Sequence, residues 1–352
     1  MDRIFSNVRI NAIATALPKE ELDLASLESL YGEEYIHKVT RVTGIHSVHV
    51  AKEGQTSADL CVRAAQKLQT EGQYNPQDID ALVFVSETPD YVIPNTSAVI
   101  QSRLGLRNDI LVFDLNFGCA GYVYGLFQAH LLVSSGYAKK VLLCVGDTLT
   151  KTIHPEDRAL RMVLGDAGSA TILSEDKEVS SAGFSFYVDG GRADKLMIPA
   201  GGFRTPCKPG VTDVAYHDDD GNVRSDENMY MDGVEVMEFA LHEVKGVAQR
   251  AYSLCNIDPQ KIDLFALHQA NAMIVKYVAR KLKAPKEKVP VNINDTGNTS
   301  CTSIPLLLTK SFAGVHPEFK NVFVCGFGTG LTCAAGVVDL SRTQFYAPEI
   351  LS

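Results

Sequence analysis

Asn116-Phe117-Gly118-Cys119-Ala120-Gly121-Tyr122 joins a strand-like run to a helical one. Before it, Ile110 to Leu115 read as a buried β run. After it, Tyr122 to Ser135 carry an amphipathic helical pattern closed by Gly136. Gly118 and Gly121 let the chain turn tightly between the two. A cysteine at that turn faces unpaired backbone N–H groups and the positive end of the helix dipole. Both favour thiolate, so a lowered thiol pKa and a nucleophile are expected at Cys119. A cysteine taken alone reads better as a small buried hydrophobe. Two later motifs supply the groups a thiolate needs.

Outward from this turn, the chain repeats itself. Asn75-Pro76-Gln77-Asp78-Ile79-Asp80-Ala81-Leu82-Val83-Phe84 returns as Asp258-Pro259-Gln260-Lys261-Ile262-Asp263-Leu264-Phe265-Ala266-Leu267, an offset of 183 residues. Lys139 to Gly146 returns as Phe319 to Gly326 at nearly the same spacing. Each copy places a strand-like run after a helical pattern, so a duplicated α/β unit of about half the chain is expected. Two halves follow, residues 1–175 and 176–352, with mixed or parallel sheets covered by helices. Ala200 to Asp232, rich in Gly, Pro, Asp and Asn, reads as a long excursion in the second half, with Asp218-Asp219-Asp220-Gly221 as a turn.

Composition narrows the classes. A chain of 352 residues with 45% apolar content can bury a large core. Its eight cysteines form no CxxC pair and no zinc-spaced cluster, so reduced thiols and no metal are expected. Met1 to Pro18 lacks the basic start and apolar core of a signal peptide, and no apolar run suits a membrane span. A cytoplasmic protein is expected, without a membrane or nucleic-acid partner at a net charge of −9.

Three motifs complete the chemistry. His268 ends the run Ile262 to Leu267 and opens Gln269-Ala270-Asn271 before a helical pattern, placed to present Nε2 to a cleft. Asn298 lies in Asp295-Thr296-Gly297-Asn298-Thr299-Ser300, which alone reads as an ordinary turn or helix cap. Gly326-Phe327-Gly328-Thr329-Gly330 follows a buried run but lacks the Lys-Ser/Thr of a phosphate-binding loop and a helix behind it. A turn aiming a backbone N–H at a carbonyl oxygen fits it better.

Together, Asn116 to Gly121, His268 to Asn271, Gly297 to Ser300 and Phe327 to Gly330 resemble, in order and spacing, the β-ketoacyl-acyl carrier protein synthase III family of thiolase-like condensing enzymes. Val42-Thr43-Gly44-Ile45, Gly165 to Ala170 and Asp232 to Val236 extend the resemblance over essentially the whole chain. It implies the α/β thiolase-like fold, five layers α-β-α-β-α in two duplicated halves. It implies a homodimer and an acyltransferase that joins an acyl thioester to malonyl carrier protein, with no cofactor beyond these substrates. Cys119 would carry the acyl group, and His268 and Asn298 would stabilise the enolate formed as CO₂ leaves. The backbone N–H groups of Cys119 and Thr329 would form the oxyanion hole. Asn271, Gly328 and Ile93 would lie at the substrate, Ile93 gating the acyl pocket across the dimer. The carrier protein, which is acidic, would dock on Lys276, Arg280 and Lys281.

The chain departs from the family's best-known members where they grip coenzyme A. It has no tryptophan, Val42 stands where they carry arginine, and so does Met273. The acyl group is therefore expected either on coenzyme A held differently or on a carrier protein. Glu87, in Ser86-Glu87-Thr88-Pro89-Asp90, reads as a solvated loop acid, although related thiolase-like enzymes use a carboxylate near this region as a base. Three functions remain open: a condensing enzyme of fatty-acid synthesis, an acyltransferase or condensing enzyme of a secondary-metabolite or polysaccharide-modifying pathway, and a silent partner subunit. Retention of Asn298 counts against simple acyltransfer, and intact Cys119, His268 and Asn298 count against a silent subunit, which leaves condensation in fatty-acid or related specialised synthesis as the leading expectation.

Overall fold

The computed structural model describes residues 3–179, 181–218 and 220–352. In chain order the sheet strands of the first half are β1 (Arg3–Phe5), β2 (Val8–Pro18), β3 (Ala81–Val85), β4 (Leu111–Leu115), β5 (Lys140–Asp147) and β6 (Ala167–Glu175). Those of the second half are β7 (Ala182–Val188), β8 (Leu264–Leu267), β9 (Val322–Gly328), β10 (Thr332–Val338), β11 (Gln344–Phe345) and β12 (Glu349–Leu351). The helices are α1 (Glu33–Thr43), α2 (Ser57–Thr70), α3 (Thr96–Arg103), α4 (Gly121–Ser134), α5 (Gly233–Leu254), α6 (Ala272–Leu282) and α7 (Ser303–Phe312).

The repeat is visible in the pairing. One sheet runs β11-β2-β6-β5-β3-β4, with β12 also on β2, and the other runs β1-β7-β10-β9-β8. Within the first, β3 and β5 are parallel, then β5, β6 and β2 are antiparallel. Within the second, β8 and β9 are parallel, then β9, β10 and β7 are antiparallel. Matching residues make matching bonds. Asp80 Oδ2 accepts from the N–H groups of Lys139 and Lys140 at 2.8 and 3.1 Å. Asp263 Oδ2 accepts from Lys320 and Asn321, both at 2.9 Å. Each Asp thereby fixes the start of two neighbouring strands.

The termini exchange sheets. Arg3–Phe5 pairs with β7 in the second sheet, whereas Gln344–Phe345 and Glu349–Leu351 pair with β2 in the first.

Helices α4 and α7 lie between the sheets, α2 and α3 cover the first, and α5 and α6 cover the second. The sequence explains which helix goes where. α2 buries Ala58, Leu60, Cys61, Ala64, Ala65 and Leu68 along one face, and Thr56 with Asp59 closes its N-terminus as a capping box. α4 carries no charged residue and buries Tyr122, Val123, Leu126, Ala129, Leu132 and Val133. It is apolar all round, as a helix sandwiched by two sheets must be, and not amphipathic as its sequence pattern suggests. Among the described residues, no helix is long and apolar enough to cross a membrane.

Two other expectations are refined. The run ending at Leu115 is an edge strand, half-buried at every position. The excursion from Ala200 holds only short two-stranded pairs. Its expected turn is closed by Gly221 N–H donating to Asp218 O at 2.9 Å, with Asp219 outside the described residues.

Candidate active site

Parallel strands of one sheet end together, and their ends are where an α/β fold gathers chemistry. β3 and β4 are paired so that Val85 faces Leu115. The segments that follow them, Ser86-Glu87-Thr88 and Asn116 to Cys119, are therefore neighbours. The second sheet supplies His268 beyond β8 and Gly328-Thr329 at the end of β9.

Cys119 stands just before α4, whose N-cap is Ala120. It is half-buried. Its Sγ lies 3.9 Å from Ser300 Oγ. A Cβ built on Gly328 would come within 3.0 Å of that sulfur, so only glycine leaves room for the thiol there. The two halves of the chain thus meet at the thiol. Its expected acidity does not follow: burial first, then the negative charge of Glu87, push the Cys119 thiol up to about 12.

Asn298 is held by backbone on both sides. Its N–H donates to Val163 O at 2.8 Å, and its carbonyl accepts from Gly165 N–H at 3.0 Å. It forms an isolated parallel bridge with Leu164, so the Gly165 to Ala170 motif positions it. Ser300 N–H donates to Asn298 Oδ1 at 2.9 Å, which leaves the amide NH₂ to donate elsewhere. Thr296 to Ser300 is thus a buried site segment; Thr299 and Ser300 are fully buried, which an ordinary surface turn is not.

His268 is buried, its N–H donates to Cys325 O at 2.8 Å, and its ring stands edge-on to Phe327. Burial pushes its pKa down to about 3, so the ring is neutral. Nδ1 is 2.6 Å from Ser303 Oγ. When the serine hydroxyl donates to Nδ1, the proton sits on Nε2, and that nitrogen is a hydrogen-bond donor.

The remaining candidates separate. Asn271 caps α6, its Oδ1 accepting from Ile274 N–H at 2.8 Å. Ile93 is 84% exposed beside Tyr91 and Val92, and meets solvent in the single chain. Lys276 and Arg280 line a groove of about 760 Å³ with Lys283 and Lys286, over an apolar floor of Val275, Ala279, Val289 and Val291. Lys281 does not line it.

Glu87 is no solvated loop acid. Its Oε1 accepts from Thr329 Oγ at 2.5 Å, and its carboxylate also accepts from Gly118 N–H. It packs so closely on Gly118 that a Cβ there would lie 2.2 Å from Oε2. Burial first, then neighbouring Asp147, raise it to about 7. Asp147 is fully buried and ties the surroundings together. It accepts from Ser86 Oγ at 3.0 Å, Glu87 N–H at 2.8 Å and Cys301 Sγ at 3.0 Å. Sequence reasoning left out Asp147, Ser300 and Ser303. The available signal was positional: each follows a strand or motif that leads to a residue already singled out.

The chain is similar over nearly its whole length to known proteins. Residues 113–190 match the family model 3-oxoacyl-[acyl-carrier-protein (ACP)] synthase III, and residues 253–340 match its C-terminal model. A β-ketoacyl-[acyl-carrier-protein] synthase III of Clostridioides difficile is 31% identical over 332 residues, 94% of this chain and 97% of the relative. A 3-oxoacyl-(acyl-carrier protein) synthase of Burkholderia xenovorans superposes with a TM-score of 0.92 at 32% identity, covering 100% of this chain and 99% of that one. A second solved 3-oxoacyl-(acyl-carrier-protein) synthase III gives 0.90 at 37% identity, over 95% of this chain and 99% of the other. With both family models matched around the residues that meet at Cys119, the chain belongs to the 3-oxoacyl-[acyl-carrier-protein] synthase III family.

Proposed function

We propose that this protein catalyses decarboxylative Claisen condensation of an acyl thioester with malonyl carrier protein, through an acyl group on Cys119. The observation that carries it is the meeting of both halves at one sulfur: Gly328 packs on Cys119 Sγ, and Ser300, 3.9 Å from that sulfur, orients Asn298. Sγ attacks the donor's carbonyl carbon and the donor thiol leaves. As malonate loses CO₂, charge builds on the thioester oxygen. The Asn298 amide and His268 Nε2–H stabilise it, each donor contributing about 3 kcal/mol. The enolate carbon then attacks the acyl carbon on Cys119, with the N–H groups of Cys119 and Thr329 holding the oxyanion, and collapse of that intermediate breaks the C–S bond and frees Cys119. Asn271 and Gly328 border the substrate. The scheme needs only its two thioesters.

Finer assignments belong to the same reading. Residues 1–175 contribute the nucleophile and 176–352 the enolate donors, in a cytoplasmic enzyme. A homodimer is supported by the half-buried edge strand β4 and by the exposed apolar residues Tyr91, Val92 and Ile93. In that dimer Ile93 would reach the acyl pocket of the partner subunit. Ile93→Asp should shift the protein toward monomer in sedimentation equilibrium; an unchanged dimer would remove this loop from the interface. The basic groove along α6 fits an acidic carrier protein.

Incubating the enzyme with radiolabelled malonyl carrier protein and a panel of acyl donors tests the central reading. The expected result is labelled β-ketoacyl carrier protein with release of CO₂. Acyl transfer without C–C bond formation would replace condensation with simple acyltransfer, and no reaction with any donor would make the chain a silent subunit.

A further inference from the structure

His268 can donate to an enolate only if the proton of its neutral ring sits on Nε2. The second sheet does not decide that. It fixes the His268 backbone, whose N–H donates to Cys325 O at 2.8 Å, and it sets Phe327 edge-on to the ring. Neither contact chooses between the two ring nitrogens. Among the described residues the only hydrogen bond to the ring comes from Ser303 Oγ, 2.6 Å from Nδ1.

Ser303 is buried at the first position of α7. A serine at a helix start commonly caps it, but α7 has no side-chain cap. Among the described residues Ser303 Oγ has no hydrogen-bond partner other than His268 Nδ1. The pair can be arranged in two ways. With Nδ1–H donating to Oγ, the serine proton would be buried without an acceptor, which is costly. With Oγ–H donating to Nδ1, both groups are satisfied and the ring proton is left on Nε2. Burial pushes His268 down to about 3, so the ring has a single proton to place.

The stretch that carries Ser303 is braced against the first half of the chain. Thr302 Oγ donates to Val145 O at 3.1 Å and to Ala167 O at 3.2 Å. Cys301 Sγ donates to Asp147 Oδ2 at 3.0 Å. Ser300 and Ser303 lie on either side of these anchors. Ser300 N–H holds Asn298 Oδ1 and Ser303 Oγ holds His268 Nδ1, so one braced stretch orients both enolate donors. Donors fixed in advance need no reorganisation as charge develops.

We infer that Ser303 is a positioning residue of the decarboxylation step, holding the His268 proton on Nε2 by donating to Nδ1. It acts through the ring and touches no reacting atom. That role rests on His268 serving the enolate, as proposed above. Acylation of Cys119, which does not use the ring in that scheme, should not require Ser303.

The experiment is ¹⁵N NMR of protein labelled in its histidine rings, where protonated and unprotonated nitrogens of a neutral imidazole resonate far apart. The His268 signals are those lost in His268→Ala. Wild type should show an unprotonated Nδ1 and a protonated Nε2. Ser303→Ala should divide the proton between the two nitrogens and lower malonyl carrier protein decarboxylation at least about tenfold. Its Cys119 should still be acylated by a short acyl N-acetylcysteamine thioester. Ser303→Thr keeps the hydroxyl and should restore both the spectrum and the rate. A wild-type ring protonated on Nδ1 would overturn the inference without any variant. So would Ser303→Ala with an unchanged ring spectrum, or with the decarboxylation rate of an active wild type. If Ser303→Thr does not fold, these readings decide alone. A ring that responds as expected in a wild type unable to decarboxylate would sink the proposed reaction and leave Ser303 in control of the proton.

Discussion

Cys119 has seven other thiols for company, and the structure says why five of them should be silent, Cys207 being exposed and Cys255 half-buried. Cys61, Cys144, Cys301, Cys325 and Cys333 are buried, and Cys144 and Cys325 lie within β5 and β9. Cys119→Ala should therefore abolish the acyl adduct in intact mass, while Cys144→Ala and Cys325→Ala keep it; an adduct of normal yield on Cys119→Ala would move the nucleophile elsewhere. Asn298 tests the other half of the reaction. Asn298→Ala or His268→Ala should lower malonyl decarboxylation by about 10²-fold or more while Cys119 still acylates. Asn298→Asp is sharper, because the new carboxylate can still accept from Ser300 N–H but cannot donate to an enolate. Decarboxylation at wild-type rate in that variant would remove Asn298 from the role. At this scale residue type and order identified Cys119, His268 and Asn298. The thiol's acidity was not legible, because a helix start in sequence announces its dipole but not the desolvation and the acid that outweigh it. Nor was Glu87, whose environment comes from Thr329, distant in sequence and joined to it only by folding.

Helix α6 is the element that carries the partner question. Lys276 and Arg280 share a face at a spacing of four, Lys283 follows beyond the helix end in a left-handed conformation, and all three line an apolar groove with Val289 and Val291. A carrier protein would pair acidic residues with the rim and apolar ones with the floor. Reversing Lys276 and Arg280 to glutamate should raise KM for malonyl carrier protein, and the effect should shrink at 1 M salt, where the Debye length is about 3 Å. Acylation by a small thioester should be unchanged; an equal loss with both substrates would indicate damaged folding and not docking. Lys281→Glu should do less, since Lys281 lies off the groove. The basic spacing was legible in the sequence, as was the repeated strand, whose two Asp residues make the same paired bonds. α4 is covered on both sides and carries no charged residue, so the amphipathic pattern expected of it has no polar face to rest on.

Across the whole molecule, the catalytic cluster costs the fold something, and pH reveals it. Asp147 and Glu87 are acids buried together between the halves, both pushed above their ordinary range chiefly by desolvation. Asp166, which accepts from Ala51 N–H at 2.8 Å and Thr150 N–H at 3.0 Å, is likewise raised, to about 6. An acid whose folded pKa exceeds its unfolded one favours folding while protonated. Its contribution is fully present below the unfolded pKa of about 4 and is lost as pH rises through the folded value. For Asp166 that window closes near 6, and for Glu87 near 7. The sign is opposite to that of a salt-bridged surface acid. Nothing local in the chain announces it, because the exchange of terminal strands and the closure of two sheets over one cluster are long-range events. Glu87→Gln removes the ionising group. Its melting temperature relative to wild type should therefore become more positive by a few degrees between about pH 4.5 and about pH 8. A difference independent of pH across that interval would mean that Glu87 titrates alike in the folded and unfolded chain, and the buried acid pair would lose its cost to the fold.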